Sequence, residues 1–480
     1  MRIVIVGAGN TGVQLAKYLI QEKHDVSIVE SDEERARHVS NRLDCMVVHE
    51  KGNNLNALQD AGIKKADAIV CVTGYDEINM IICGLAAFLS GEKKLLKIAR
   101  VRNDDYLNLN LSDDEKVLGI DHFIHPGMEV ARSIIKAIEH GVMGDVFSFS
   151  DTQYEMGAMD IAVGSALDGI ALNEYRKLVT HESIVTLIER NDEVMLPSGS
   201  TVIKSGDRVH ILSDGKNLPE IFGFAGDVQK PIRKIGIAGG GRLGSLIAEG
   251  LLDDVISGDR KSRRNTRKKS IFSPLLKVFA PKKRRIIIIE QDSKLCGELA
   301  ARFPEALILN EDISDESFTS EEELDDLDCL ITTTADEELN IITSVYMKSR
   351  GIARTIAIVT GSGHAAMARQ LGVDVVIPMQ SVVVNSILSH LMGGGVKEVR
   401  SLGDGNVDLI EVEIGKDAPV IEKPISAFNL STGGLLLLAN REGTAFIPRG
   451  DYVFKEGDRI VLIAKSGSQA EIEKYFSAEK

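Results

Sequence analysis

Tryptophan is absent from the 480-residue chain and aromatic residues make up only 5% of it, so its cores are built from aliphatic side chains within an apolar content of 44%. Cysteine is sparse. Cys45, Cys71, Cys83, Cys296 and Cys329 form no C-x-x-C pair, which excludes thiolate metal-site spacing and points to buried thiols in a reducing compartment. No stretch approaches the ~18 consecutive apolar residues that span a bilayer, and Met1 runs straight into a strand and a glycine turn rather than a secretory leader. The expectation is a soluble protein. Positive charge is also in deficit. With 56 Lys/Arg against 71 Asp/Glu, the formal net charge of −15 argues against a general nucleic-acid binder, which needs a dominant positive field. At this length two to four domains are expected.

What is present is repetition. Arg2–Gly12, "RIVIVGAGNTG", returns as Lys234–Gly244, "KIGIAGGGRLG", 232 residues later. Val72–Asn79, "VTGYDEIN", resembles Thr333–Asn340, "TTADEELN", at an offset of 261. Ile184–Leu212 matches Leu435–Ile463 at a constant offset of 251, with Pro197 on Pro448, Gly199 on Gly450, and Gly206-Asp207-Arg208 on Gly457-Asp458-Arg459. The chain is a tandem duplication, and each copy has two parts.

The first part of each copy alternates strands and helices. Ile3–Val6, Val26–Val29, Met46–Val48, Ala68–Val72 and Leu96–Val101 read as short buried strands, with helices such as Val13–Gln21 and Asn79–Leu89 between them. That alternation predicts a parallel sheet covered on both faces. The second part reads as a small α+β module with strands at Phe147–Phe149, Asp160–Val163, Ile184–Arg190, Glu193–Met195 and Arg208–Leu212.

One segment breaks the symmetry. Arg260–Arg285 holds 12 Lys/Arg and no Asp/Glu, and it accounts for the growth of the offset from 232 to 261. Its composition fits a solvated insertion, a patch for anionic lipid headgroups or a membrane partner, or a nucleic-acid contact.

The glycines carry the chemistry. Gly7 permits a tight turn after an aliphatic strand, Gly9 lets backbone approach a diphosphate, and Gly12 lets helix and strand pack closely. The helix N-terminus that follows offers unpaired N–H groups to phosphate. Glu30 ends the second strand, 18 residues after Gly12, where a carboxylate accepts from ribose hydroxyls and repels a 2′-phosphate. NAD(H), or adenosine nucleotides generally, is therefore favoured over NADP(H). The second copy supplies Gly239, Gly241, Gly244 and Glu290.

A dehydrogenase also needs a group that moves a proton. None of the eight tyrosines has Lys four residues later, and the ten histidines form no H-E-x-x-H. Asp76-Glu77 could serve as catalytic carboxylates, but lining the cleft or capping the helix near Asn79 fits them better. Two nucleotide folds without a reaction centre suggest a sensor. An NAD-dependent oxidoreductase and a structural adaptor with vestigial sites are the alternatives.

The motifs "GAGNTG" (Gly7–Gly12), "VVES" with its Glu30, "AGIKKADAIVCVTGYDEINM" (Ala61–Met80), "ARVRNDDY" (Ala99–Tyr106) and "GSTVIKSGDRV" (Gly199–Val209), the last echoed at "GDYVFKEGDRI" (Gly450–Ile460), resemble the TrkA family of potassium-uptake proteins. The resemblance covers essentially the whole chain. It implies two tandem Rossmann-like RCK-N domains, each followed by a small α+β RCK-C domain. The expected bounds are 1–140, 141–228, 232–392 with the basic insertion at about 255–285, and 396–480. It further implies that Gly7, Ala8, Gly9, Asn10, Thr11 and Gly12 cradle the pyrophosphate, that Glu30 holds the adenosine ribose, that Thr73 and Gly74 line the cleft, and that Arg100 reaches the phosphates. Gly239, Gly240, Gly241, Arg242, Leu243, Gly244, Glu290 and Thr334 would serve the second unit likewise. No arginine stands at the place of Arg100 in the second copy, which reads "IAIVTGSGH" (Ile356–His364), and Glu50-Lys51 replaces the Gly-Asp usual in the family. By the same resemblance the chain would be a cytosolic, peripheral regulatory subunit without enzyme activity. It would assemble as a homotetrameric gating ring under a TrkH-like potassium transporter and respond to NAD(H) or ATP/ADP. Arg260–Arg285 is not a usual family feature.

Overall fold

A computed structural model describes the chain except residues 92–93, 104, 107–116, 140–146, 150–151, 192, 227–231, 253–283, 316–323, 325, 392–395, 403–405, 428–432 and 477–480. Nearly all of Arg260–Arg285 thus lies outside the described residues. The first sheet is β1 (Arg2–Val6), β2 (Asp25–Glu30), β3 (Met46–His49), β4 (Ala68–Cys71), β5 (Leu96–Arg100) and β6 (His122–Ile124), all parallel, in the order 3-2-1-4-5-6. Ile3 to Val6 are all buried, as a strand covered on both faces requires, and this is why the sequence reads there as an unbroken aliphatic run. The order reverses between β1 and β4, which opens a crevice at the carboxyl ends of the strands.

β7 (Phe147–Ser148), β8 (Tyr154–Asp160), β9 (Ser183–Arg190), β10 (Glu193–Met195) and β11 (Arg208–Asp214) form an antiparallel sheet in the order 10-9-11-8-7. The strand expected at Asp160–Val163 lies earlier, at β8. Its residues "YEMGAMD" include a glycine and are buried on both faces up to Met159, so neither propensity nor alternation marks them. The second copy repeats both sheets. β12 (Lys234–Ala238), β13 (Arg285–Ile289), β14 (Leu307–Leu309), β15 (Cys329–Thr332), β16 (Arg354–Val359) and β17 (Val375–Pro378) run in the order 14-13-12-15-16-17. β18 (Val396–Leu402), β19 (Val407–Glu413), β20 (Gly434–Arg441), β21 (Thr444–Phe446) and β22 (Arg459–Lys465) run in the order 18-19-22-20-21.

The repeated G-D-R triplet is a structural anchor. Arg190 grips Asp207 with two bonds, Nε to Oδ1 at 2.6 Å and Nη2 to Oδ2 at 2.7 Å, and its Nη2 also reaches the Val202 carbonyl at 2.8 Å. Arg441 does the same to Asp458 at 2.7 and 2.6 Å and to the Val453 carbonyl at 2.8 Å, and Tyr452 adds a hydroxyl donor. The aspartate thereby fixes the turn entering the last strand of each small module to the preceding hairpin.

The two wound folds exchange helices. Pro126–Glu139 follows the first sheet, yet Val130, Ile134, Ile135 and Ile138 lie in the core of the second fold beside Ile235 and Ile247. Met379–Leu391 follows the second sheet and places Val383, Val384, Ile387 and Leu388 among Leu15, Leu19 and Ile28 of the first. At this crossing the rings of His122 and His390 stack with centroids 4.0 Å apart, and burial, helped by the charge of His122, lowers the His390 pKa to about 4. The small modules meet face to face through Met156, Leu187 and Leu212 against Leu409, Leu437 and Ile463.

Candidate functional site

The loop after β1 is built for close approach. Gly7 has φ of +106°, a conformation costly for any side chain, and a Cβ there would stand 3.1 Å from the Thr73 backbone nitrogen. A Cβ on Gly12 would fall well inside contact distance of the Gly7 carbonyl oxygen, whereas one on Gly9 would meet open space. Helix Asn10–Gln21 starts there with no side-chain cap and no acidic residue in its first turn. By contrast, the next helix, Glu33–Ser40, is capped by Asp32. The N–H groups of Asn10, Thr11 and Gly12 are thus left for an anion.

Glu30 sits at the end of β2, 7% exposed. One carboxylate oxygen accepts from Ala8 N at 2.6 Å and the other from Asp32 N at 2.9 Å, so the acid also braces the glycine loop from behind. Beyond β4, Thr73 donates its N–H and hydroxyl to Asn79 Oδ1 at 2.9 and 2.7 Å. Asn79 Nδ2 in turn donates to the carbonyls of Thr73 at 3.3 Å and Arg100 at 2.8 Å. Arg100 Nη2 reaches Thr73 O at 2.7 Å, and its Nε is buried with no hydrogen-bond partner among the described residues. Burial, and then the neighbouring charge of Arg102, lowers the Arg100 pKa to about 10, which still leaves a full cation at neutral pH.

Asn79, a residue the sequence reading used only to mark a helix start, is the keystone of this corner. The signal was available, because Asn79 and Asn340 are the last matched residues of the two motifs. The helix itself begins earlier than expected, at Asp76. Asp76 is not its cap: it accepts from Arg102 N and Asn103 N at 2.7 and 2.8 Å and ties down the loop after β5, while Glu77 accepts from the Tyr106 hydroxyl at 2.9 Å. Replacing Asn79 by alanine is expected to cost about 3 kcal/mol, because the Thr73 N–H and the Arg100 carbonyl lose this partner at a residue that is 0% exposed. Urea unfolding of Asn79→Ala and Asn340→Ala checks it.

The second copy reproduces most of this. Gly239 has φ of +101°, a Cβ on Gly244 would collide with Gly239 O, and Gly241 faces open space. Glu290 accepts from Gly240 N at 2.8 Å and Asp292 N at 3.0 Å. Thr334 bonds to Asn340 Oδ1 through N at 2.9 Å and Oγ1 at 2.8 Å. The differences are specific. Asn340 Nδ2 donates to Ile358 O, so Ile358 holds the place of Arg100 and brings no charge. Leu243 packs its side chain against the apolar core, and Arg242 is exposed.

The first loop opens into a cleft of about 2090 Å³, lined by Gly7 to Thr11, Glu30, Thr73, Gly74 and Arg100. Its far wall is the exchanged helix of the other fold, with Gln380, Ser381, Asn385 and Ser389. No local sequence signal links those residues to the first loop. Typical small-molecule pockets hold ~300–1,000 Å³.

The domain family described as TrkA-N matches residues 3–126 and 273–378, and that described as TrkA-C matches 157–226 and 409–477. This chain belongs to the family built from tandem TrkA-N and TrkA-C domains. TrkA-family relatives match it end to end. The Trk system potassium uptake protein TrkA homolog 1 of Methanosarcina mazei is 27% identical over 99% of this chain and 100% of its own length. The TrkA of Haemophilus influenzae is 26% identical over 99% and 98%, and the TrkA homolog of Archaeoglobus fulgidus 29% identical over 99% and 100%. Among solved structures, the GsuK channel bound to NAD aligns with a TM-score of 0.55 at 16% identity, covering 99% of this chain and 78% of that one. The GsuK RCK domain aligns at 0.54 and 17%, covering 99% and 94%. At such identities the likeness establishes the fold, two Rossmann-like TrkA-N units each followed by a small TrkA-C module. Among the described residues no helix is long and apolar enough to cross a membrane.

Proposed function

We propose that this chain is a nucleotide-sensing regulatory subunit of a Trk-type potassium uptake system, without an enzymatic reaction of its own, acting at the inner face of the cell membrane. The observation that carries the reading is the first glycine loop. An uncapped helix start, an acid at the end of β2 and a half-buried arginine converge on a cleft whose opposite wall belongs to the other fold. A ligand there touches both units, and its difference in affinity between two arrangements of the units is what moves them. NAD(H) or ATP/ADP is the expected ligand class. The diphosphate would lie on Gly7 to Gly12, the adenosine ribose at Glu30, and Arg100 would neutralise phosphate charge, with Thr73 and Gly74 at the edge. The second loop, from Gly239 to Gly244 with Glu290 and Thr334, would take the same ligand more weakly, since Ile358 cannot replace the charge of Arg100.

The family relatives are named for potassium uptake, which supports a TrkH-like membrane partner. Isothermal titration of the purified chain with NADH, ATP and ADP, followed by pull-down of a potassium transporter from membranes with and without the ligand, tests the reading. Heat of binding at two unequal sites and a ligand-dependent yield of transporter are expected. Absence of binding would overturn the sensor.

A ring of four chains is proposed on the same basis. Helix Asp76–Ser90 exposes Ile81 and Phe88, the latter by 80%, and helix Glu337–Ser349 exposes Ile342 by 65% at the position equivalent to Ile81. Apolar faces repeated on both folds suit contacts between copies. Phe88→Glu with Ile342→Glu is expected to reduce the mass measured by light scattering to that of a smaller assembly, with the circular dichroism of each fold unchanged.

A further inference from the structure

Helix Asn10–Gln21, which starts at the first glycine loop, is bonded along one face to the other half of the chain. Gln14, Tyr18 and Glu22 stand four residues apart and so share that face. Gln14 Nε2 donates to Ser381 Oγ, on the exchanged helix, at 3.3 Å. The Tyr18 hydroxyl is buried and makes no hydrogen bond among the described residues; burial, then the charges of Asp408 on β19 and of Glu22, pushes its pKa far up. Glu22 Oε1 accepts from Gly467 N, just beyond β22. Tyr18, Glu22 and Asp408 are all buried. Behind them the apolar core runs without a break from Leu15 and Leu19 into Ile410, Phe454 and Phe476 of the second small module.

Among the described residues the second copy shows no such face, and Asp254, the position equivalent to Glu22, lies outside them. The positions equivalent to Gln14 and Tyr18 are Leu246 and Gly250, which carry no hydrogen-bonding side chain. Leu246 sits in the apolar core shared with helix Pro126–Glu139, and the core of the second fold is separate from that of the first small module.

We propose that helix Asn10–Gln21 is a lever that delivers occupation of the first glycine loop to the second small module through Glu22 and the apolar core around Tyr18, with Gln14 tying the same face to the exchanged helix, while no matching route starts at the second loop among the described residues. The proposal rests on the reading of the first loop as a nucleotide site. A helix of 12 residues is a rigid rod about 18 Å long, so a reorientation imposed on its N-terminal N–H groups reappears at its far end. The Glu22 carboxylate is buried, so the module must follow the rod or lose the bond from Gly467 N and the shared apolar packing. The two sites of one chain thus differ in task as well as in affinity.

Hydrogen–deuterium exchange of the full chain with and without ADP tests this. In the wild type, ADP is expected to alter protection at 7–13 and also at 406–413 and 459–476. In Gln14→Ala/Glu22→Ala the response at 7–13 persists. The response in the small module falls about fivefold or more, a size typical of coupling between sites. Glu249→Ala, on the second copy's helix and paired with Arg302 of its own fold, leaves both responses intact. A wild type that responds at 7–13 but not in the small module overturns the lever, as do variants that keep the full distant response. A wild type with no response at 7–13 overturns the nucleotide reading and the lever together, which separates the two failures.

Discussion

Gly9→Asp is expected to fold like the parent and to lose at least about 100-fold in affinity for NADH and ADP, about 2.8 kcal/mol of binding free energy. A side chain at this position enters open space, and its backbone, with φ of −69° and ψ of 178°, suits any residue. Folding therefore has no reason to fail. The new carboxylate stands where the diphosphate charge would lie, at the end of a helix whose N–H groups it satisfies in the ligand's place. Gly12→Ala is the matched opposite. Its methyl would meet the Gly7 carbonyl oxygen, a backbone atom that cannot step aside without unwinding the turn. A loss of at least about 3 kcal/mol in the first fold is expected, or about 10 °C in Tm for a unit of this size. Calorimetric titration and thermal unfolding of the two variants side by side distinguish a ligand surface from a packing surface within one six-residue loop. A Gly9→Asp protein that binds as tightly as the parent would falsify the assignment of the loop.

Asp458→Ala is expected to destabilise the second small module by about 4 kcal/mol, because it leaves the Arg441 guanidinium and the buried Tyr452 hydroxyl without their common acceptor. Glu33→Ala, which removes an exposed four-apart pair with Arg37, should cost no more than about 0.5 kcal/mol. Urea midpoints of the two variants measure the contrast. The pH dependence has a definite sign. Burial pushes the Asp458 carboxyl up, but bonds from Arg441, Tyr452 and the Lys455 N–H, with the charge of Arg441, outweigh it and hold the group below the usual carboxylate range. Its contribution is therefore complete above the unfolded value of about 3.9 and is lost as pH falls through the lower folded value. The acid limb of the stability curve should be shallower in Asp458→Ala than in the parent.

The site was legible where its parts are close in sequence. A strand, three glycines and a helix start follow one another within a dozen residues, and Glu30 ends the very next strand, so spacing alone placed them together. The repeat supplied the second copy and the fold class. The G-D-R register was equally visible, but not its partner: Arg190 and Arg441 each lie 17 residues before their aspartate, and only the antiparallel pairing of β9 with β11 and of β20 with β22 brings them into contact. β8 escaped because burial on both faces removes the alternation by which a strand is recognised.

The sequence by itself determined that two copies of a Rossmann-like fold with a glycine turn and two small modules would form, because those folds are dictated by local periodicity, turn glycines and strand-end acids. Helices Pro126–Glu139 and Met379–Leu391 each carry an apolar face. An apolar face states that it must be buried and not against what. Which fold each helix covers, and therefore which side chains of the second unit confront the first glycine loop, was settled by contacts between residues hundreds of positions apart, such as Gln14 with Ser381 and Glu22 with Gly467. Hydrophobic burial has no direction and no address in the chain, so that choice belongs to the assembled cores alone.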